Sequence, residues 1–325
     1  MARLACVLLL VAFRAWGAQG DAYSPSPHAI DIPKWFTESF LDLREDIRDA
    51  ARQKKRLLVY FGQDGCPYCK ALMKVNFGQP DIVATTRRGF TAIALNLWGD
   101  REVTWIDGRK MTEKELGRVL AVQFTPTILF FDEEGTVVLR LNGYAPPDKF
   151  RAALAYVDGR VEKRQSYTDF IAGRPPEKAA AKLADEPFFE RGTFDLARLA
   201  AAGKPVIVVF ERKHCADCDE LHRDAFARPE VRSLIARFSV VQLDLATERE
   251  RARSMRIVYT PTLVFLDARG KEVFRAEGFL RPFHLASALD YVASGAYRDE
   301  PSFQRFIQKR ADAQRAAGRK VDLWE

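Results

Sequence analysis

The chain is 325 residues long, 47% hydrophobic and 29% charged, with a formal net charge of +7. That length suits two ordinary domains, and that balance of apolar and charged residues excludes intrinsic disorder and a membrane-spanning bundle. The basic excess is spread along the chain with no cluster interleaved with aromatics, so it reads as solvated surface and gives no nucleic-acid footprint.

Leu4 to Phe13 is an apolar run of about ten residues behind Arg3, too short to span a bilayer and of the length of a signal-peptide core. Ala15-Trp16-Gly17 and Ala18-Gln19-Gly20 then offer the small-x-small cleavage pattern, so residues 1–20 are expected to be a signal peptide. The mature protein is expected in the periplasm, without membrane insertion. Cys6 lies inside the apolar run, which argues against a lipoprotein attachment site. Cleavage would leave four cysteines and 49 basic against 44 acidic residues, a net charge of +5.

Ser24 to Pro27 reads as an extended lead. From Ile32 to Lys55, Trp35, Phe36, Phe40, Leu43 and Ile47 recur at spacings of three and four, which predicts one helix running into the first strand. Leu57 to Phe61 is an apolar run too short for a helix, bounded by Gly62 and Asp64-Gly65, and predicts a buried strand and its turn. Cys66-Pro67-Tyr68-Cys69 opens the next helix, with Pro67 where a missing N–H costs nothing and Leu72, Met73 and Phe77 along one side. Cys66 therefore sits at a helix N-terminus, where unpaired N–H groups favour the thiolate and lower the thiol pKa.

Ala92 to Leu97 predicts a second strand. In the segment Trp98 to Glu115, Glu102–Ile106 and Arg109–Met111 flank Asp107-Gly108, a two-residue hairpin signal. Thr112 and Glu115 form a capping box for a helix running to about Val122. Phe124 to Phe131 predicts a strand entered through Thr125-Pro126-Thr127, and Thr136 to Leu141 predicts an edge strand. Pro147 to Val157 predicts a closing helix. Arg174-Pro175-Pro176 and the Ala/Lys-rich stretch beyond it mark a linker, assigned to residues 175–187.

Past the linker the pattern repeats. Lys204 to Phe210 matches the first strand and Cys215-Ala216-Asp217-Cys218 matches Cys66 to Cys69, both at an offset of 149. After the strand Val240 to Leu245 the offset drops to 135, at which Thr260-Pro261-Thr262 matches Thr125-Pro126-Thr127 and Gly278-Phe279 matches Gly143-Tyr144. The difference of 14 residues is the hairpin insertion, present only in the first copy. Residues 31–174 and 188–325 are thus expected to be two tandem domains of one kind.

A strand, a helix opened by CxxC, and a later strand entered through Thr-Pro-Thr together resemble the thioredoxin superfamily. The resemblance implies an α/β fold with a central mixed sheet flanked by helices in each domain, and cis peptide bonds at Pro126 and Pro261 facing the cysteine pairs. Phe61 five residues before Cys66, the CPYC motif, the extended Thr-Pro-Thr loop and the aromatic tail are similar to periplasmic SoxW-like thioredoxins and to the C-terminal domain of the thiol:disulfide transporter DsbD. The activity implied is thiol–disulfide exchange. Cys66 and Cys215 attack as thiolates, Cys69 and Cys218 resolve the mixed disulfides, and the backbone around Thr125-Pro126 and Thr260-Pro261, with Pro67 and Tyr68, holds the incoming chain. Implied partners are disulfide-bearing or dithiol proteins, with a membrane thiol electron transporter as a further one; no cofactor is expected. Covalent haem is excluded because Lys70 and Asp219, not histidine, follow the pairs. A shared Cys₄ zinc site is disfavoured because each pair belongs to its own strand and Thr-Pro-Thr segment.

The alternatives left open are a disulfide isomerase, and a binding or scaffold protein with one redox-active domain. Ordinary thioredoxins bury an Asp six residues before the first cysteine, where Tyr60 and Val209 stand here, so the proton acceptor for the resolving cysteine is unassigned; Glu211 and His214 are candidates in the second domain. Asp217 in the helix turn of Cys215, with Asp219 and Glu220 following, disfavours the thiolate and is taken to outweigh the opposing Arg212, Lys213 and His214 on the loop, which predicts that the first site is the more oxidising of the two.

Overall fold

The computed structural model describes residues 30–174, 179–191, 195–201, 203–321 and 323. The expected signal peptide, the lead at Ser24 to Pro27 and the Pro175-Pro176 part of the linker lie outside the described residues.

The first region opens with helix α1 (Leu43–Arg52) and strand β1 (Arg56–Gly62), then α2 (Pro67–Ala71), which continues as a wider π turn through Asn76, and α3 (Pro80–Gly89). Strand β2 (Phe90–Asn96), the hairpin β3 (Glu102–Thr104) and β4 (Lys110–Thr112), and α4 (Glu113–Val119) follow. Strands β5 (Thr127–Phe131) and β6 (Val137–Asn142) and helices α5 (Pro147–Asp158) and α6 (Tyr167–Ala172) complete it. The second region repeats the plan as α7 (Leu196–Ala201), β7 (Val206–Glu211), α8 (Ala216–Glu220) with its own π turn to Ala225, α9 (Pro229–Ile235), β8 (Ser239–Asp244), α10 (Arg249–Ser254), β9 (Thr262–Leu266), β10 (Glu272–Glu277), α11 (Pro282–Ala293) and α12 (Phe303–Ala316).

Each region has a four-stranded mixed sheet, ordered β2-β1-β5-β6 and β8-β7-β9-β10. The central strand pairs in parallel with one neighbour and antiparallel with the other. Every residue of β1 and of β7 is buried, which is why both read as continuous apolar runs: helices cover both faces of the sheet.

The helix predicted from Ile32 is shorter than expected and starts only at Leu43. Leu41 takes a positive φ of 62°, and the Asp42 carboxylate caps the helix by accepting from the Arg44 and Glu45 N–H groups. Trp35 and Phe36 owe their spacing to packing, their rings lying 5.1 and 5.6 Å from that of Phe77. The hairpin of the insertion is present, but its strands stop at Thr104 and resume at Lys110. Trp105 still donates its N–H to the Arg109 carbonyl at 2.8 Å, while its ring and the Ile106 side chain pack onto the sheet, with Trp105 6.0 Å from Phe131. Buried Glu113 ties the insertion to β2 by accepting from the Asn96 N–H at 2.8 Å and from Arg101 Nη2 at 2.6 Å. The capping box of Thr112 and Glu115 forms as expected.

Candidate active site

In the first region the chain leaves buried β1 and turns through Gly65, whose φ of +72° suits glycine, into α2. Cys66 caps that helix, its Sγ accepting the Cys69 N–H at 3.0 Å. Cys66 and Cys69 are joined as a disulfide with Cα atoms 5.3 Å apart. Across from them the Thr125–Pro126 bond is cis, the Thr125 carbonyl oxygen lies 3.3 Å from Cys66 Sγ, and the Thr125 hydroxyl donates to the same sulfur at 3.4 Å. The second region repeats this. Cys215 caps α8 and accepts the Cys218 N–H at 3.2 Å, the pair is joined as a disulfide, Thr260–Pro261 is cis, and the Thr260 carbonyl lies 3.6 Å from Cys215 Sγ. All four cysteines, both threonines and both prolines are buried, while Pro67 and Tyr68 are half-buried at the helix start.

Residues 43–158 and 194–293 match the family described as thioredoxin-like domain. The chain belongs to the thioredoxin-like domain family. Among curated relatives, the thiol:disulfide interchange protein DsbD of Cronobacter sakazakii is 28% identical over 118 residues, covering 34% of this chain and 21% of the relative. The DsbD of Pectobacterium atrosepticum is 30% identical over 88 residues, 25% of this chain and 15% of the relative. The chain thus spans about a fifth or less of the curated relatives it matches. A solved thioredoxin-fold protein from Helicobacter pylori matches 41% of this chain and 90% of its own at 25% identity and a TM-score of 0.34. The DsbD C-terminal domain of Neisseria meningitidis, oxidised form, matches 30% of this chain and 90% of its own at 19% identity and a TM-score of 0.27.

The two thioredoxin-like regions differ beneath their cysteines. In the first, the Tyr60 side chain lies over Gly62: a Cβ on Gly62 would come within 1.9 Å of the Tyr60 hydroxyl, so the two residues fit only together. That hydroxyl is buried without a partner among the described residues, and burial, with Asp64 adding to it, pushes its pKa well up, so it is no proton acceptor at neutral pH. The equivalent pair in the second region is Val209 and Glu211. Glu211 is 1% exposed and both its carboxylate oxygens face His222 Nε2, at 3.1 and 3.2 Å. His222 Nδ1 lies 3.0 Å from Glu186 Oε1, Arg232 donates to Glu186 at 3.1 Å, and Gln242 donates to Glu211 at 2.6 Å. Burial alone would lower the His222 pKa, but hydrogen bonds and charge from Glu211 and then Glu186 outweigh it and hold the imidazolium above its ordinary value. Of the two acceptor candidates, Glu211 is thus buried in an ion network four residues before Cys215, whereas His214 is half-buried on the loop, its N–H donating to the Ala180 carbonyl. Sequence reading missed Glu186, placed in the expected linker, and His222. The visible signal for His222 was a charged residue at the position where the first copy has Met73.

The regions also meet through their active-site faces. Asn142 on β6 donates to Glu277 on β10 at 2.5 Å, Tyr68 sets its ring edge against His284 of α11 at 5.1 Å, and Lys149 of α5 bonds Asp217 at 2.5 Å. Phe124, two residues before cis-Pro126, packs 5.6 and 5.5 Å from Phe274 and Phe303 in the second core; Tyr259, two residues before cis-Pro261, lies 6.0 Å from Tyr167 of α6. Tyr68 is equivalent to Asp217 and Lys149 to His284, so the contacts follow an approximate two-fold relation. The ion pair bears on the expected order of potentials. Asp217, the first of the carboxylates on which that order rested, is paired with Lys149, a cation from the first region that the weighing against Arg212, Lys213 and His214 did not include. Lys149→Leu is expected to restore the effect: an unpaired carboxylate in the first turn after Cys215 disfavours the thiolate and makes the second disulfide the weaker oxidant. Equilibrating the variant in dithiothreitol buffers measures this, and an unchanged midpoint would show that Asp217 does not act on Cys215.

Proposed function

We propose that the protein is an exported, periplasmic thiol:disulfide oxidoreductase that acts as a reductant or electron carrier toward protein disulfides. The observation that carries this reading is the twofold recurrence of one constellation: a cysteine capping a helix, a second cysteine one turn inward, and a threonine carbonyl before a cis proline within 3.3 or 3.6 Å of the first sulfur. In the dithiol state the helix N-terminus favours the thiolate of Cys66 or Cys215. That thiolate attacks one sulfur of the partner disulfide and releases the other as a thiolate; Cys69 or Cys218 then attacks the mixed disulfide and frees the partner fully reduced. Two electrons pass to the partner and the pair closes as a disulfide. Thr125, Pro126, Thr260 and Pro261 present the backbone edge to the incoming chain, and Pro67 and Tyr68 line the first site beside it. A dithiol donor resets the pair, and a membrane thiol electron transporter is the donor class the DsbD similarity favours.

Two expected results test this reading. The purified chain is expected to accelerate reduction of insulin by dithiothreitol, seen as turbidity; no acceleration over the dithiol alone would sink the activity. Protein recovered from the cell envelope is expected to begin between Ala18 and Ala22, and an intact Met1 on cytosolic protein would overturn export.

A further inference from the structure

Arg212-Lys213-His214 precede Cys215 on a loop where the first region has Gln63-Asp64-Gly65. Gly65 takes its positive φ of 72° freely, whereas His214 holds a φ of +54°, a region that disfavours residues with a Cβ. Two bonds keep it there: its N–H donates to the Ala180 carbonyl at 2.8 Å, and its carbonyl accepts from Arg212 Nη1 at 3.1 Å. Glycine would fill this position at less cost, so the imidazole has its use outside the loop, in the cavity that it lines.

That cavity, of about 300 Å³, lies between the regions. Five cations converge on it: Arg174 just after α6, Arg212 and Lys213 on the loop, and Arg249 and Arg253 on α10. Against them the lining holds one carboxylate among the described residues, Asp169, which accepts from the Ser166 hydroxyl at 2.7 Å. No carboxylate pairs with Arg174, Lys213, Arg249 or Arg253 among the described residues. Like charges gathered in this way repel one another, and a ligand of opposite sign relieves that repulsion. Leu245 and Ile257 add an apolar side that a bare inorganic anion would leave unused. A neighbouring cavity of about 610 Å³ shares Thr168, Arg174, Arg212 and Leu245 with this one and runs on to Asp217 and Thr260 at the second cysteine pair.

We propose that the basic cavity docks an acidic, partly apolar segment of the protein partner of Cys215, so that the second region recruits partners by charge at a place apart from the sulfurs. The inference rests on Cys215 exchanging with protein partners. It adds affinity for one class of partner and excludes none from either cysteine pair. The first region has no counterpart in this loop, because Asp64 stands where the second has Lys213.

The test uses the full chain with both cysteine pairs oxidised, so that thiol exchange contributes nothing, titrated calorimetrically with the cysteine-free peptide Glu-Glu-Leu-Glu-Glu, acetylated and amidated. Saturable binding to one site is expected at about 0.1 M salt, where charges beyond roughly 10 Å are screened, and it is expected to weaken as salt is raised. Lys213→Glu with Arg249→Glu is expected to raise the Kd by about tenfold or more; both side chains are exposed, so the fold is kept. Arg87→Glu with Lys163→Glu makes the same change of net charge on exposed side chains outside the cavity and is expected to leave the Kd within about twofold. Absence of saturable binding overturns the proposal. Equal weakening by the two pairs of substitutions also overturns it, because binding would then follow net charge alone. Binding of Lys-Lys-Leu-Lys-Lys as tight as that of the glutamate peptide, or of inorganic pyrophosphate as tight as either, would do the same. Insulin reduction by the unsubstituted chain is scored separately: its failure would remove the exchange activity, whereas lost peptide binding with insulin still reduced removes only the docking site.

Discussion

A full-length chain carrying Cys66→Ser together with Cys215→Ser is expected to lose its acceleration of insulin reduction completely, down to the rate of the dithiol donor alone. Serine keeps the size of the side chain and its place at the helix cap, but its hydroxyl is not ionised at neutral pH, so the attacking anion is lost while the fold is kept. Cys69 and Cys218 do not substitute. They sit one turn inward, within the helix, whereas Cys66 and Cys215 occupy the N-cap where the unpaired N–H groups and the helix dipole favour a thiolate. Cys66→Ser alone is expected to leave the share of the second region, and Cys215→Ser alone that of the first. Wild-type turnover in the double variant would mean that the helix-capping sulfurs are not the nucleophiles.

Replacing His222 with methionine, the residue at the equivalent place in the first region, is expected to destabilise the second region by about 3–5 kcal/mol, because it strands two buried carboxylates whose shared cation is gone. Glu211 is 1% exposed and would keep only its bond from Gln242, and Glu186 only its bond from Arg232. Adding Glu211→Gln to the methionine variant removes one of the stranded charges and is expected to recover part of the loss. The same network gives a pH dependence with a definite sign. The folded pKa of His222 is raised above the ordinary 6.5. Its contribution is therefore fully present below about pH 6.5 and is lost as pH rises through the raised value. Urea unfolding of the second region should show a midpoint that falls over that interval in the parent and is flat in the methionine variant. A variant as stable as the parent would show that the network contributes nothing net.

The parts of this molecule that local patterns could reveal are those whose causes are local. Leu57 to Phe61 and Val206 to Phe210 read as buried strands because both sheet faces are covered. Cys66 and Cys215 read as helix caps because each opens a run of helical spacing, and the repeat offset placed the second site from the first. The helix expected from Ile32 failed because the spacing of Trp35 and Phe36 serves packing on Phe77, and no periodicity reports that Leu41 turns through a positive φ. Contacts between the regions were out of reach for a different reason. The pairs Asn142–Glu277, Lys149–Asp217 and Tyr68–His284 depend on how two separately folded units dock, and nothing in the alternation of apolar and polar residues encodes that geometry. The offset did align Lys149 with His284 and Tyr68 with Asp217, so the equivalence was visible while the partnership was not. Glu186 shows the same limit, since its neighbourhood reads as linker and only folding brings its carboxylate to His222.

The central claim is that Cys66 and Cys215 are the sulfurs that attack a partner disulfide, and trapping that covalent intermediate tests it most directly. The full chain carrying Cys69→Ser and Cys218→Ser, which lacks both resolving thiols, is incubated after reduction with insulin, and the products are digested and mapped by mass without a reducing agent. The account predicts mixed disulfides between insulin cysteines and both Cys66 and Cys215, each dissolved by added dithiol. Absence of adducts on both sulfurs, while the unsubstituted chain still reduces insulin, would contradict it.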